Sequence, residues 1–194
     1  VRVDGGYKGY NTDAIGLYRE LEEENIIIKD KEVIILGAGG ASNAITYICA
    51  DKGAAKIYLL NRTFDKAKKL ADDVNSHFGD VVVPLAISDY RLIPEGKYPV
   101  IQTTSCGLYP HNDDAPIYDK EFYELVEAGV DIIFNPAKTM FMKLCKESGA
   151  RAYNGLKMLL YQGIAAFELW NDIKVPKNLA DKILGMMERK LKES

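Results

Sequence analysis

The sequence is poor in several things, and each shortage excludes something. It has 3 cysteines, Cys49, Cys106 and Cys145, odd in number and far apart, so they make neither a disulfide framework nor a metal pattern. They read as reduced thiols of a cytoplasmic protein. Its 2 histidines, His77 and His111, lie in polar, turn-like surroundings with no nucleophile at a telling spacing, and read as surface residues. No metal site is expected. No apolar run approaches the roughly 20 residues that cross a bilayer, and no stretch has the form of a signal peptide. Charge is balanced, with a net value of −3, so no basic excess points to nucleic acid and no charged block to a disordered tail.

What is present is an ordinary globular composition over 194 residues, enough for one sizeable domain or one domain with an appendage. Strand-like and helix-like runs alternate. Helices are expected at 11–24 (capped by Thr12 or Asp13), 41–52, 65–78, 121–127 and 138–147, and strands at 32–36, 56–60, 81–85, 99–103, 130–134 and 150–153. Pro84 marks the third of these strands as an edge strand, which is its place in a doubly wound sheet. The fold class is therefore α/β: Rossmann-like, doubly wound, with a mainly parallel six-stranded sheet. After Asn154-Gly155 the alternation stops. Two long helices follow, 156–171 and 178–192, with no strands left to cover, so residues 1–155 read as one domain and 156–194 as helices expected to pack on each other and on a second domain.

The run Val33-Ile34-Ile35-Leu36-Gly37-Ala38-Gly39-Gly40-Ala41-Ser42 carries the clearest chemistry. An apolar strand ends in a glycine-rich turn that opens a helix. Bare glycines admit a diphosphate, and the helix N-terminus offers free N–H groups to it. At the next strand end an adenosine ribose with free hydroxyls is usually met by Asp or Glu. Here Asn61-Arg62-Thr63 stands instead, with Lys66 one turn further, and a guanidinium there suits a 2′-phosphate. The pattern selects NADP(H) over NAD. Methyltransferases share the glycine turn, but they too favour an acid after the second strand. Asp65 is the only nearby acid, and it is better placed to start a helix.

Three further clusters stand at ligand-prone places: Gly9-Tyr10-Asn11-Thr12-Asp13, Gln102-Thr103-Thr104-Ser105 at the end of a strand, and Asn154-Gly155-Leu156 leading to Gln162. On chemistry alone Asp13 is an acid at a helix N-terminus, stabilised by the dipole, and Gln162 is a polar residue in an apolar helix.

Taken in order, the four clusters resemble the shikimate dehydrogenase family over essentially the whole chain. The resemblance implies NADPH-dependent reduction of 3-dehydroshikimate to shikimate, in aromatic amino-acid biosynthesis. It implies that Asp13 is the catalytic aspartate and that Thr12, Asp13, Phe134 and Gln162 border the substrate. Gly37, Ala38, Gly39, Gly40 and Ala41 would hold the diphosphate. Asn61, Arg62, Thr63 and Lys66 would hold the adenosine phosphate, and Thr104, Ser105, Ile132 and Gly155 would meet the nicotinamide end. Two positions depart from the family: Phe134 replaces a tyrosine that contacts substrate, and Gln102 replaces an asparagine, placing a longer side chain beside the cofactor.

The family's lysine-bearing substrate domain is not represented, since Lys8 and Lys29 sit in no such context. The chain is expected to be the cofactor half of the enzyme and to turn over negligibly alone. The helix faces with Met158, Leu159, Ile183 and Met187 are expected to lack cover and to drive self-association, as in a homodimer. A quinate dehydrogenase using NAD, or a non-catalytic dinucleotide-binding module, are the competing readings; Asp13 with Gln162 argues against the second.

Overall fold

The computed structural model describes residues 1–193. The chain opens with a two-stranded hairpin, β1 (Arg2–Val3) and β2 (Gly6–Tyr7), then α1 (Thr12–Glu23). Next come β3 (Glu32–Leu36), α2 (Gly40–Asp51), β4 (Lys56–Asn61), α3 (Phe64–Phe78) and β5 (Val82–Ala86). A 3-10 turn (Ile87–Leu92) leads to β6 (Tyr98–Gln102), α4 (Lys120–Glu124), β7 (Val126–Asp131), α5 (Met140–Glu147) and β8 (Arg151–Asn154). Helices α6 (Leu156–Asn171) and α7 (Lys177–Glu193) close the chain.

The six-stranded sheet has the order β5-β4-β3-β6-β7-β8, and every pairing is parallel. The chain reverses direction across the sheet between β3 and β6, which places a crevice outside their carboxyl ends. Strand β5 lies at the edge, as Pro84 requires, because an edge strand need not donate a ladder hydrogen bond there.

Alternation along the strands splits the core in two. Val33, Ile35, Ile57 and Leu59 face Leu17 and Leu21 of α1, Ile45 and Cys49 of α2, and Ala67, Ala71 and Val74 of α3. Ile34, Leu36, Tyr58, Leu60 and Val100 face Tyr90, Phe122, Phe141 and Met142. Cys49 and Cys145 are buried, one on each face, and burial pushes both thiols up to about 12, so neither is a ready nucleophile.

Three expectations need correction. The strand placed at 130–134 runs at Val126–Asp131, and the helix placed at 121–127 is the shorter α4. Leu125 caps α4 and the chain enters β7 at once, with Gly129 inside the strand. A Cβ at Gly129 would lie 2.7 Å from Cys145 Sγ and 3.1 Å from the Phe141 ring, so glycine lets α5 press onto the sheet. Second, α1 is capped by neither Thr12 nor Asp13. Asn11 does it, its side-chain oxygen accepting from Asp13 N at 3.0 Å and Ala14 N at 3.2 Å. Third, Met158 does not lack cover: it is buried in the α1/α2 core. Leu159, Ile183 and Met187, by contrast, line an open apolar groove of about 440 Å³ between α6 and α7. Among the described residues no helix is long and apolar enough to cross a membrane.

Candidate functional site

At the β3/β6 crevice the glycine turn meets the turn after β6. Gly37 has φ of 111°, a conformation that favours glycine, and a Cβ there would lie 2.5 Å from Thr103 Oγ1. The turn is pinned by three hydrogen bonds. Gly37 N donates to Leu60 O at 2.7 Å, Ser42 Oγ donates to Gly37 O at 2.6 Å, and Thr103 Oγ1 donates to Leu36 O at 2.7 Å. The serine at the third small position thus acts as a lock, fully buried with its hydroxyl returned to the turn it follows.

Gly39 and Gly40 are different. Neither adopts positive φ, and a Cβ on either would meet nothing within 4 Å. Neither backbone conformation nor packing asks for glycine at these two exposed positions. Gly39 is the N-cap of α2 and gives it no side-chain hydrogen bond, so the first N–H groups of the helix face outward uncapped. This is the surface an oxyanion fits.

Asn61, at the end of β4, folds its amide back to Thr63 O at 2.8 Å, and Thr63 starts α3 without using its hydroxyl as a cap. Asp65 falls in the first turn of α3, as the sequence suggests. Among the described residues no hydrogen bond or ion pair engages the side chain of Arg62 or Lys66; Lys66 N donates to Thr63 O at 3.1 Å within the turn, and Arg62 is exposed. A groove of about 520 Å³ runs from Ala38, Gly39 and Asn43 to Lys66 and Lys69. Since β4 and β6 flank β3 on opposite sides, Arg62 and Thr104 bracket the glycine turn.

The residues after β7 and β8 are also brought together. A Cβ on Gly155 would lie 2.1 Å from Ile132 O, and Gly155 N donates to Ile133 O at 3.1 Å. Phe134 follows, partly exposed. Gln102 is not beside the open crevice, as its length suggests; it is fully buried and turned onto its own loop, where Nε2 donates to Cys106 O at 3.1 Å.

The second half of the site is the seam between α1 and α6. Gly16 makes it close: a Cβ there would lie 2.6 Å from Met158 O and 2.8 Å from Gln162 N. That approach sets Thr12 Oγ1 3.4 Å from Gln162 Oε1, uniting two residues 150 positions apart. Asp13 lies beside them, exposed, and its carboxylate has no hydrogen-bond or ionic partner among the described residues.

The rest of the seam is fully paired. Glu20, missed at the sequence level because it interrupts an apolar stripe, is 1% exposed and accepts from Met158 N at 3.0 Å, capping α6 from across the seam. Burial raises its carboxyl to about 8. Glu23 receives Lys157 at 2.8 Å, Lys177 at 3.3 Å and the Tyr161 hydroxyl, and Lys157 also meets Glu24. Glu168 receives Arg19 at 2.7 Å and Lys174 at 3.1 Å. Although desolvation opposes it, these donors hold both Glu23 and Glu168 down at about 2.

Comparison with known proteins identifies the family. The family model described as shikimate / quinate 5-dehydrogenase matches residues 20–88, and that described as shikimate 5'-dehydrogenase C-terminal domain matches 155–182. Together they take in half of the chain, including the glycine turn, the Arg62 strand end and Gln162. The chain belongs to the shikimate dehydrogenase family. The shikimate dehydrogenase (NADP(+)) of Carboxydothermus hydrogenoformans is 38% identical over 178 residues, 92% of this chain and 63% of that protein. The protein of the same name from Caldicellulosiruptor bescii is 41% identical over 195 residues, 97% of this chain and 65% of that protein. The crystal structure of a chorismate mutase/shikimate 5-dehydrogenase fusion protein from Clostridium acetobutylicum superposes with a TM-score of 0.83 at 32% identity, covering 99% of this chain and 66% of the other. The chain therefore spans a little under two thirds of the length of these relatives.

Proposed function

We propose that this chain is the dinucleotide-holding part of an NADP-dependent shikimate dehydrogenase, which reduces 3-dehydroshikimate to shikimate. The observation that carries the reading is the pair Gly39 and Gly40, glycines with no reason in the fold, on a groove that leads to Lys66, with the side chains of Lys66 and Arg62 unpaired among the described residues. The relatives named for NADP(+) support it.

In this reading Ala38, Gly39, Gly40 and Ala41 receive the diphosphate on uncapped N–H groups, and Gly37, whose own N–H is held by Leu60 O, shapes the turn that brings them to it. Asn61, Arg62, Thr63 and Lys66 take the adenosine ribose and its 2′-phosphate. Thr104, Ser105, Ile132 and Gly155 border the nicotinamide end. The bound dinucleotide supplies a hydride. Thr12, Asp13 and Gln162 hold substrate hydroxyls at the mouth of the α1/α6 seam, and Phe134 gives an apolar wall where a hydroxyl contact is lost.

Reduction of a ketone also needs a proton at the carbonyl oxygen. Asp13 is placed to share it, and no cation among the described residues pairs with it. This chain alone therefore binds cofactor but turns over negligibly. Its apolar α6/α7 groove is the surface through which it meets a further domain or a second copy.

Titration with NADPH and NADH, followed by an assay with 3-dehydroshikimate, tests the reading. Tight NADPH binding with little oxidation is expected. Equal or better binding of NADH overturns the cofactor assignment, and robust turnover overturns the claim of inactivity.

A further inference from the structure

Behind the Thr104–Ser105 turn lies a polar cluster that the reading above does not use. Gln102 and Asp131 are fully buried and Thr139 is 2% exposed, at the ends of β6 and β7 and the start of α5. Asp131 Oδ1 accepts from Ile133 N at 3.0 Å and from Gln102 Nε2 at 3.4 Å, and Oδ2 accepts from Thr139 Oγ1 at 2.6 Å. The partners on the sheet nearby, Val100 and Val130, are apolar. A carboxylate there costs desolvation that an apolar side chain would not, so its retention calls for an explanation.

The orientation of Gln102 supplies one. An ionised carboxylate only accepts, so the Gln102 amide must present its NH₂ to Asp131. Its Nε2 also reaches Thr104 O and Cys106 O, at 3.3 and 3.1 Å. The Oε1 atom is left to receive Thr104 N, and Thr104 Oγ1 then receives Cys106 N at 3.2 Å. Thr139 completes the clamp from the other side: a Cβ on Gly107, whose φ is 96°, would lie 3.3 Å from Thr139 Cβ. One buried carboxylate thus dictates which way an amide points, and the amide dictates the shape of the turn.

We propose that Asp131, Gln102 and Thr139 are positioning residues that hold the Thr104–Ser105 turn in the form that receives the nicotinamide half of the dinucleotide. The proposal rests on the functional reading above. Strand order gives it direction. With the 2′-phosphate on Arg62 beyond β4 and the diphosphate over β3, the other half of the ligand extends toward β6, where this turn stands.

The test compares NADPH with adenosine 2′,5′-bisphosphate, which has the phosphate and lacks the nicotinamide half. Asp131→Asn keeps shape and removes the charge that orients Gln102. It is expected to weaken NADPH about tenfold and to leave the bisphosphate within about twofold. Thr139→Val is expected to give the same split, and Thr139→Ser to bind both ligands like the wild type, which keeps the test open if Asp131→Asn fails to fold. Exchange of the Thr104 amide hydrogen is expected to quicken about tenfold in Asp131→Asn. Equal weakening of both ligands, no weakening of either, or unchanged exchange at Thr104 overturns the proposal. If the wild type binds neither ligand, the functional reading falls instead, and exchange at Thr104 still decides whether the clamp holds the turn.

Discussion

The glycine turn and the α1/α6 seam both use bare glycine and cationic side chains, and they use them oppositely. In the seam, a Cβ on Gly16 would strike backbone at 2.6 Å, and Arg19, Lys157 and Lys177 are each spent on a carboxylate. At the turn, a Cβ on Gly39 would meet open space, and the side chains of Arg62 and Lys66 have no partner among the described residues. A glycine that touches something explains the fold. A glycine that touches nothing, next to an unpaired cation, points outside the fold. The difference separates what holds this protein together from what it holds.

Substitution of the two glycines is the sharpest way to break that comparison. Gly16→Ala is expected to cost about 2–4 kcal/mol, read by urea unfolding, because the obstructing atoms are backbone and the gain in helix propensity of about 1 kcal/mol does not offset them. Gly39→Ala is expected to leave stability within about 0.5 kcal/mol and to weaken NADPH more than tenfold by titration, since the new methyl occupies ligand space. If Gly39→Ala unfolds the chain, or Gly16→Ala is harmless, the comparison fails.

The cations divide the same way. Arg62→Ala is expected to weaken NADPH by about 1.5–3 kcal/mol while NADH binding hardly moves, because only one of the two ligands carries the charge that Arg62 meets. Lys157→Ala is expected to leave NADPH affinity alone and to lower the melting temperature by a few degrees, since it strands the Glu24 carboxylate and takes from Glu23 one of its two cations.

The smallest effect concerns pH. Glu20 has its carboxyl raised to about 8 from an ordinary value of 4.5, among Glu23, Glu24 and Lys157. The folded state therefore holds a proton that the unfolded state releases, so stability rises as pH falls from about 8 toward 4.5. Asp131, raised to about 6, adds to this rise below pH 6. Below 4.5 the trend reverses, because Glu23 and Glu168 are held at about 2 and their pairing is lost as they protonate. Unfolding followed from pH 9 to pH 3 is expected to show a maximum at mildly acidic pH. Glu20→Gln, which keeps an acceptor for Met158 N, is expected to flatten the alkaline limb by about 1 kcal/mol.

These contrasts also mark what the sequence could say. The periodicity of β3, β4 and α6 placed each within one residue, and Pro84 located the sheet edge, because those signals are local. Strand β7 was misplaced because its Gly129 answers to Phe141 and Cys145, which the chain delivers more than ten residues later. Gln102 read as a neighbour of the ligand, yet the pleat turns it inward to Asp131, and no spacing reveals which face a strand end presents. Neither Asp131 nor Glu20 belongs to any motif in the sequence. Their partners, Thr139 and Met158 N, became visible only through tertiary packing.

Thr12 and Gln162 meet across 150 residues of chain. A nascent polypeptide can lay down its whole sheet while the first helix still waits for its mate, and the loop to be closed is nearly the length of the molecule. The pocket mouth is therefore a finishing joint, fastened after everything between its two halves has been built.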